Sequence, residues 1–295
     1  MSCGKDRMST YDDAVVADLS GGLGNQLFIF AAAYAQAKRL DCRLVLDASR
    51  YADPAAPRRY ELGFLENLAD EILRVPTGLH IPSRLRIPTR LRTRLRRRAT
   101  RTPHVFEETS AVAYDPAVDK ITPGTTLVGY FQSPHYFDRV ADLLLERLSS
   151  DRRKLAPITL HLRRGDYLQA PVTKIHGVTS IDYAKRAITL LGLIGVAGPV
   201  AVFSDEPDRV AHELEGFPAD LAFPDQTGMS TLASLQQLAA GEHMIMSNSS
   251  FSWWAAWMMD RRTGGYIIAP RPWFGDDTAA SDLLLPNWIT LDTRS

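Results

Sequence analysis

The second half of the chain alternates apolar runs with helical patterns, and this alternation constrains the fold more than any other feature. Runs typical of buried strands lie at 157–163, 199–205, 243–247 and 264–270. Patterns with helical spacing lie at 180–193, 207–215, 230–240 and 250–260. Strands joined through helices pair in parallel, with right-handed crossovers. We therefore predict a Rossmann-like domain over residues 151–295.

The N-terminal part begins in the same way. An apolar run at 14–19 leads into a glycine-rich turn, a helical pattern at 25–39 and a second apolar run at 43–47. The chain has 295 residues, of which 45% are hydrophobic, and this is enough for two cores. We predict that residues 1–150 form another Rossmann-like domain, so that the fold class is α/β with two such domains.

Charge is balanced overall but concentrated in one segment. Lys and Arg number 34, as do Asp and Glu, so the total carries no argument for an acidic partner. Nine arginines nevertheless lie within Arg84–Arg101. Such a segment is either a solvated helix or loop, or a basic patch that contacts an anionic membrane surface or a phosphorylated lipid carrier. No aromatic residues are interleaved with the arginines, so we expect no nucleic-acid partner.

Cysteine content and hydropathy bear on the compartment. The two cysteines cannot form a disulfide framework, which suits a reducing environment. No run approaches the roughly 18 apolar residues of a membrane span, and the N-terminus lacks the apolar region of a signal peptide. We expect a cytoplasmic protein, peripheral to the inner face of the membrane if the arginine segment binds lipid.

Polar residues collect where the predicted strands of the second domain end. These residues are His161, Arg163, Arg164 and Asp166 after the first strand, Ser204 and Asp205 after the second, and Ser249, Ser250 and Phe251 after the third. Ligands of open parallel sheets bind beyond the carboxyl ends of the strands, so we predict that this set forms one site. A guanidinium fork and a helix N-terminus with serine hydroxyls both suit phosphate oxygens. The expected ligand is a nucleoside diphosphate.

Several of these residues also have a purely structural interpretation. Ser249 or Ser250 could cap a helix, and Asp205 could cap the helix that begins near Pro207. His161 alternates with leucines along a strand and could be a hydrogen-bonded core histidine. The tryptophans at 253, 254 and 257 have helical spacing, which favours a core position over a binding platform.

The glycine-rich turn admits two interpretations. Gly22 and Gly24, with Asp47 after the next strand, imitate a dinucleotide fingerprint and predict an NAD(P)-type oxidoreductase, although Leu27 stands where the third glycine is required. Alternatively, Gly21, Gly22 and Gly24 let the backbone approach a sugar. In that case Asn25 and Gln26 would supply neutral hydrogen bonds to it.

Four motifs, taken together in this order, resemble the α-1,2-fucosyltransferases of glycosyltransferase family 11. They are GGLGNQLF at 21–28, HLRRGDY at 161–167, VFSDE at 202–206 and SNSSFSWWAAWM at 247–258. The resemblance runs from about residue 15 to about residue 260 and leaves the arginine segment outside. The third motif usually ends in two aspartates, so Glu206 is a departure that puts the role of the second acid in doubt.

The resemblance implies a GT-B type fold, in which two Rossmann-like domains face each other across a cleft. Residues 1–150 would form the acceptor side and residues 151–295 would bind GDP-fucose. The implied reaction is an inverting transfer of fucose to the 2-hydroxyl of a galactose-containing glycan, a β-galactoside that would be lipid-linked in a bacterial cell.

The resemblance also implies roles for individual residues. Arg163 would act on the diphosphate, and Asn25 would face the reaction centre. The remaining donor contacts would come from a set of strand-end and helix-start residues: His161, Arg164, Ser204, Asp205, Ser249, Ser250 and Phe251.

We expect no cofactor and no metal. Arg163 and a helix N-terminus can neutralise the charge that develops on GDP without Mg²⁺, and the sequence has no Asp-x-Asp pair. The catalytic base stays open, because Asp166 could be the base or could orient an arginine. A nucleotide-sugar-binding protein without catalysis is the remaining alternative, and it would require loss of Arg163 or Asn25, both of which are present.

Overall fold

The computed structural model describes residues 11–74, 104–110, 113–150, 154–165, 179–274 and 282–293. The chain divides into two compact units, an N-terminal unit of residues 1–144 and a C-terminal unit of residues 145–295. The boundary predicted at residue 150 lies close to this division. Asp166 and the segment Arg84–Arg101 lie outside the described residues.

The N-terminal unit contains a five-stranded parallel sheet with the order β3-β2-β1-β5-β4. Its strands are β1 (Ala14–Asp18), β2 (Arg43–Asp47), β3 (Glu71–Leu73), β4 (His104–Glu107) and β5 (Thr125–Val128). The helix α1 (Leu23–Leu40) connects β1 to β2, and α2 (Ala141–Leu148) spans the division between the units. Short 3-10 turns lie at Ser49–Tyr51, Gly63–Leu68, Pro116–Lys120, Pro134–Tyr136 and Asp138–Val140.

Helix α1 is the central helix of this unit. Fourteen of its residues, between Leu23 and Ala37, are buried, which agrees with its thin polar face. Gly22 is its N-cap, and the helix ends where Asp41 adopts a left-handed conformation. Strand β1 is buried along its whole length, as expected for a parallel strand covered on both faces.

The C-terminal unit contains a six-stranded parallel sheet with the order β11-β10-β9-β6-β7-β8. Its strands are β6 (Ile158–Leu162), β7 (Val200–Ser204), β8 (Leu221–Ala222), β9 (His243–Ile245), β10 (Ile267–Arg271) and β11 (Ile289–Asp292). Its helices are α3 (Ile181–Leu193), α4 (Pro207–Glu213), α5 (Thr231–Leu238) and α6 (Ser250–Thr263). Two α/β units with parallel sheets confirm the predicted fold class.

The tryptophans of α6 belong to the core, as their spacing predicted. Trp253, Trp254 and Trp257 are all buried, and the indole N–H of Trp253 donates to the carbonyl of Leu283 at 2.8 Å. Within the described ranges, no helix is both long enough and apolar enough to cross a membrane.

Tyr183 of α3 ties two neighbouring strands together beneath the carboxyl edge of this sheet. Its hydroxyl lies 3.0 Å from the carbonyl oxygens of Met246, just after β9, and of Ile268 in β10. The side chain is fully buried, and burial raises its pKa well above the usual value, so it stays a neutral donor. Tyr183 therefore helps to fix the segment that leads from β9 into α6.

Replacing Tyr183 with Phe should lower the free energy of unfolding by about 1 to 3 kcal/mol, because a buried carbonyl loses its donor. Chemical denaturation measures this difference. Tyr266→Phe is the matched control, since that side chain is exposed, and it should change the free energy by less than about 0.5 kcal/mol. Equal effects of the two substitutions would contradict the structural role of Tyr183.

Candidate functional site

Three strand ends bring the predicted donor-binding residues to one edge of the C-terminal sheet. Strands β9, β6 and β7 are neighbours in the sheet and run in parallel, so the segments that follow them leave from the same edge. His161 of β6 contacts both Ser247 and Phe251 of the segment after β9. Arg163 pairs with Asp205 after β7. The structure thus assembles most of the predicted set into one cluster.

His161 is a buried, neutral member of this cluster. Its Nδ1 lies 2.9 Å from the Ser247 hydroxyl, and its ring centroid lies 5.6 Å from that of Phe251. Burial, together with the positive charge of Arg163, lowers the pKa of His161 to about 3. The imidazole can therefore exchange hydrogen bonds with a ligand but adds no positive charge to the site near neutral pH.

Asp205 anchors the loop that follows β6. One carboxylate oxygen accepts from the backbone N–H of Arg164 at 2.8 Å, and the other accepts from that of Gly165 at 3.1 Å. The second oxygen also lies 3.2 Å from Nε of Arg163. A Cβ atom at Gly165 would lie 2.6 Å from this oxygen, so any larger residue would displace the Asp205 carboxylate. These are contacts within the protein, and the predicted contact of Asp205 with ribose or guanine stays a prediction.

The two adjacent arginines have different environments. The Arg163 side chain retains 20% exposure beside Asp205. Arg164 retains only 4%, and its guanidinium contacts Glu213 of α4 at 2.8 Å and the carbonyl of Thr179 at 2.9 Å. Although burial raises the pKa of Glu213, hydrogen bonds from Arg209 and Arg164 hold it below its usual value, so the pair is ionic. The structure therefore does not support the predicted donor contact of Arg164.

Serine residues at the start of α6 leave its N-terminus without a side-chain cap. Ser249 occupies the N-cap position, but its hydroxyl makes no capping hydrogen bond, and the first turn contains no acidic residue. The first N–H groups of a helix have no partner within the helix and carry partial positive charge. This end of a 14-residue helix is suited to an anion.

Asp205 does not cap the next helix with its side chain. The Ser204 hydroxyl accepts from the N–H of Glu206 at 3.1 Å. Glu206 is the N-cap of α4 and makes no side-chain capping hydrogen bond, with Pro207 as the first helical residue. The capping interpretation of Asp205 is therefore wrong, because its carboxylate is bound to the loop after β6.

The glycine-rich turn of the N-terminal unit is built around Asn25. Gly21 has a φ of +78°, and a Cβ atom there would lie 2.6 Å from Nδ2 of Asn25. The Asn25 side chain thus fills the space over Gly21 in which a sugar was predicted to bind. A Cβ at Gly22 would meet nothing closer than 4.0 Å, and Gly24 lies buried inside α1. The structure therefore does not support the predicted approach of the Gly21 backbone to a sugar.

Gln26 is a structural residue, which corrects its predicted contact with a sugar. Its side chain is buried. Its amide N–H donates to the carbonyls of Gly21 at 3.0 Å and Arg59 at 2.8 Å, and its oxygen accepts from the N–H of Glu61 at 2.9 Å. The bond to Gly21 closes the turn itself, and the other two hold it to the segment around residue 60.

A carboxylate lies at the N-terminus of α1, where the dinucleotide interpretation requires a pyrophosphate. Glu61 accepts from the backbone N–H of Leu23 at 2.9 Å. Asp47, the acid of that fingerprint, is buried and accepts from the N–H of Ser49 at 3.0 Å, and burial raises its pKa. Both observations argue against the oxidoreductase interpretation.

Sequence reasoning missed two polar residues that follow β4 and β5. Gln132 donates from its side-chain amide to Oδ1 of Asn25 at 2.9 Å. Glu108 accepts from the backbone N–H groups of Tyr130 and Phe131 at 2.8 and 2.9 Å, and burial raises the pKa of its carboxyl. No short motif marks either residue, and the sequence pattern does not reveal the two strands that precede them.

The fold and this cluster define an α/β protein with polar and charged residues gathered at one edge of its C-terminal sheet. The model of glycosyl transferase family 11 matches residues 122–292, more than half of the chain. The chain belongs to glycosyl transferase family 11 and is a glycosyltransferase. The resemblance seen in the four motifs is thereby confirmed at the level of the family.

Two relatives from Escherichia coli match along nearly their whole length. The chain is 27% identical over 305 residues to the O-antigen biosynthesis glycosyltransferase WbnK, covering 92% of this chain and 99% of that protein. It is 25% identical over 303 residues to an α-1,2-colitosyltransferase, covering 94% and 99%. More than nine tenths of the chain therefore has counterparts in proteins named as glycosyltransferases.

Solved fucosyltransferase structures are similar at a greater distance. The fucosyltransferase NodZ from Bradyrhizobium is 15% identical with a TM-score of 0.43, covering 83% of this chain and 92% of that one. POFUT1 in complex with GDP-fucose is 14% identical with a TM-score of 0.40, covering 85% and 96%. Both similarities are distant.

The neutral state of buried His161 makes stability depend on pH. In the unfolded chain this histidine titrates near pH 6.5, whereas in the folded protein it stays neutral down to about pH 3. Below pH 6.5 the unfolded state thus binds one more proton, so acidification destabilises the folded protein. Between pH 7 and pH 5, the free energy of unfolding should fall by about 2 kcal/mol more in the wild type than in His161→Asn.

Chemical denaturation at the two pH values provides the test, with His212→Asn as a control at an exposed histidine. His212→Asn should follow the wild type. A His161→Asn protein that loses as much stability on acidification as the wild type would mean that His161 is charged in the folded state.

The two neighbouring glycines of the turn form a matched pair for mutation. Gly21→Ala should lower the free energy of unfolding by about 1 to 2 kcal/mol, because its Cβ is strained at positive φ and collides with Asn25. Gly22→Ala should cost less than about 1 kcal/mol, since only the N-cap preference changes. Denaturation of both variants measures the difference. A larger loss for Gly22→Ala would contradict the arrangement described for the turn.

Proposed function

We propose that this protein transfers fucose from GDP-fucose to the 2-hydroxyl of a galactose-containing glycan, with inversion and without a metal ion. Membership of glycosyl transferase family 11 supports the reaction class. The proposal gives the protein the activity of a galactoside α-1,2-fucosyltransferase. Its acceptor would be a β-galactoside, in keeping with a relative named for O-antigen biosynthesis.

The cluster at the carboxyl edge of the C-terminal sheet is the observation that carries this proposal. It combines a guanidinium, Arg163, with an uncapped helix N-terminus at Ser249 and a neutral imidazole at His161. A guanidinium and free N–H groups match the oxygens of a diphosphate. Phe251 lies against His161 and offers an apolar ring beside these polar groups.

The proposed reaction forms one bond at the anomeric carbon and breaks another there, and it moves one proton. The oxygen of the acceptor 2-hydroxyl attacks the anomeric carbon of fucose, while the bond from that carbon to the phosphate oxygen breaks. GDP leaves with an additional negative charge, which Arg163 and the N-terminus of α6 would neutralise. The hydroxyl proton passes to a base, for which Asp166 is a candidate. Asn25 would face the reaction centre from the N-terminal unit.

Fixed positive groups give a physical reason for metal independence. A divalent metal in glycosyl transfer would stabilise the same charge that Arg163 and a helix dipole can stabilise. Among the described residues, no group of three or more His, Cys, Asp or Glu side chains could hold a metal ion. Turnover in the presence of a chelator tests the metal requirement.

The identity of the sugar that the donor carries is a separate question from the reaction class. One relative is named as an α-1,2-colitosyltransferase, and colitose differs from fucose by a missing hydroxyl. The diphosphate contacts proposed for Arg163 and α6 would serve either donor equally. Parallel assays with GDP-fucose and GDP-colitose therefore separate the sugar preference from the reaction class.

Arg163→Ala should reduce the rate of transfer on the order of 10² to 10³-fold, because it removes a preorganised group that stabilises the leaving GDP. The assay uses purified protein, GDP-fucose, lactose or N-acetyllactosamine as the acceptor, and EDTA. Arg186→Ala is the matched control, since Arg186 belongs to the same unit and its guanidinium contacts the carbonyl of Asp292. This control should retain wild-type turnover.

Metal-independent transfer that is lost in Arg163→Ala and kept in Arg186→Ala would establish the donor and the phosphate role. Transfer that stops in EDTA would overturn metal independence. If the wild-type protein binds neither GDP-fucose nor GDP-colitose, the proposed function is wrong. Binding without turnover, repeated over a panel of galactosides, would favour the non-catalytic alternative.

A further inference from the structure

We propose that Gln132 and Glu108 are positioning residues, which fix the side-chain amide of Asn25 so that it meets a ligand as a hydrogen-bond donor. The three residues come from different parts of the N-terminal unit. Asn25 lies in the first turn of α1, Glu108 follows β4 and Gln132 follows β5. The inference deepens the proposed function, because it concerns the residue expected at the reaction centre.

Gln132 binds the oxygen of the Asn25 side-chain amide and leaves the nitrogen available to other partners. Its Nε2 donates to Oδ1 of Asn25 at 2.9 Å, so the Asn25 oxygen faces Gln132. The Asn25 nitrogen then lies over Gly21, close enough that a Cβ atom at Gly21 would be 2.6 Å away. Rotating either amide alone by half a turn would break this hydrogen bond, so the two side chains hold their orientations as a pair.

Glu108 holds the turn that carries Gln132. A single carboxylate oxygen accepts from the backbone N–H groups of both Tyr130 and Phe131. Phe131 has a φ of +53°, an uncommon conformation for a residue with a side chain. A Cβ atom at Gly129 would lie 2.5 Å from Cβ of Glu108, so the two segments pass in close contact. The carboxylate thus stabilises a backbone path that would otherwise be unfavourable.

The aromatic ring of Phe131 locks this turn from the other side. The ring is fully buried and lies 5.1 Å from that of Tyr136 and 6.3 Å from that of Phe106, measured between centroids. With its side chain in the core and its N–H bound to Glu108, Phe131 leaves the next residue little freedom. The backbone from which the Gln132 side chain reaches Asn25 is therefore fixed.

The orientation of the Asn25 amide determines whether it meets a ligand as a donor or as an acceptor of a hydrogen bond. A fixed amide N–H can donate to a phosphate, ring or glycosidic oxygen, and it cannot accept the proton of an attacking hydroxyl. Asn25 is thus suited to stabilise negative charge near the breaking bond and is unsuited to act as the base. Such preorganised donors act on the transition state more than on substrate affinity.

The orientation of the amide can be observed without any activity. The chain has four asparagines, at positions 25, 67, 248 and 287, so ¹⁵N-asparagine labelling gives four side-chain amide pairs, and Asn25→Ala identifies that of Asn25. In Gln132→Glu, residue 132 can only accept, so the Asn25 amide turns and its proton resonance moves downfield. Gln236→Glu is the matched control, because Gln236 donates equivalently to the carbonyl of Leu148 at 3.1 Å. An unmoved Asn25 resonance in Gln132→Glu would overturn the proposal.

Kinetics test whether the orientation matters. Gln132→Glu should lower kcat on the order of 10 to 10²-fold while KM for the donor changes by less than about threefold. In the Asn25→Ala background it should have no further effect, because the two residues act as a unit. An effect of full size in that background would mean that Gln132 contacts the substrate itself, and the proposal would be wrong.

Glu108 is tested by a conservative replacement. Glu108→Gln keeps an oxygen that accepts from the two backbone N–H groups, so it should retain most of kcat, whereas Glu108→Ala should lose it as Gln132→Glu does. Equal losses in the two variants would mean that the charge matters, which would overturn the positioning role. If the wild type transfers no sugar at all, the proposed function fails, and the resonance shift still decides the arrangement of Asn25.

Discussion

The cluster at the carboxyl edge of the C-terminal sheet depends on the hydrogen bonds and the ion pair of the Asp205 carboxylate. This carboxylate binds two backbone N–H groups after β6 and lies against the guanidinium of Arg163. A partly buried carboxylate is costly without such partners, and here its partners are the very groups that set the direction of the loop. One residue thereby fixes both the path of the chain after β6 and the location of the positive charge beside His161.

The N-terminal unit uses its motif residues in a comparable way. Gln26 and Glu61 tie the glycine-rich turn to the segment around residue 60, and Gly21 makes room for Asn25. Most of the motif therefore serves to build the turn. In this short polar motif, Gly21 and Gln26 thus serve to hold the turn in which Asn25 lies.

The sequence predicted the C-terminal sheet well, because β6, β7 and β9 are continuous apolar runs between amphipathic helices. It missed β4 and β5, since their neighbourhood lacks a clear helical pattern and their pairing is decided by distant segments. Strand alternation separated Arg163 from Arg164 but could not say which one is buried, because that depends on Glu213 in α4. Gln132 was beyond reach, since its partner Asn25 lies 107 residues away.

Helix α6 is buried from Ser252 to Met259, and three of these buried residues are tryptophans. Most helices that bind anions have one side in water, where mobile ions weaken the field of the helix dipole. The indole rings of Trp253, Trp254 and Trp257 are buried, so they exclude water and ions from most of the length of α6. Mobile ions can therefore screen the helix dipole chiefly at the N-terminal end, where Ser250 and Phe251 are only half-buried.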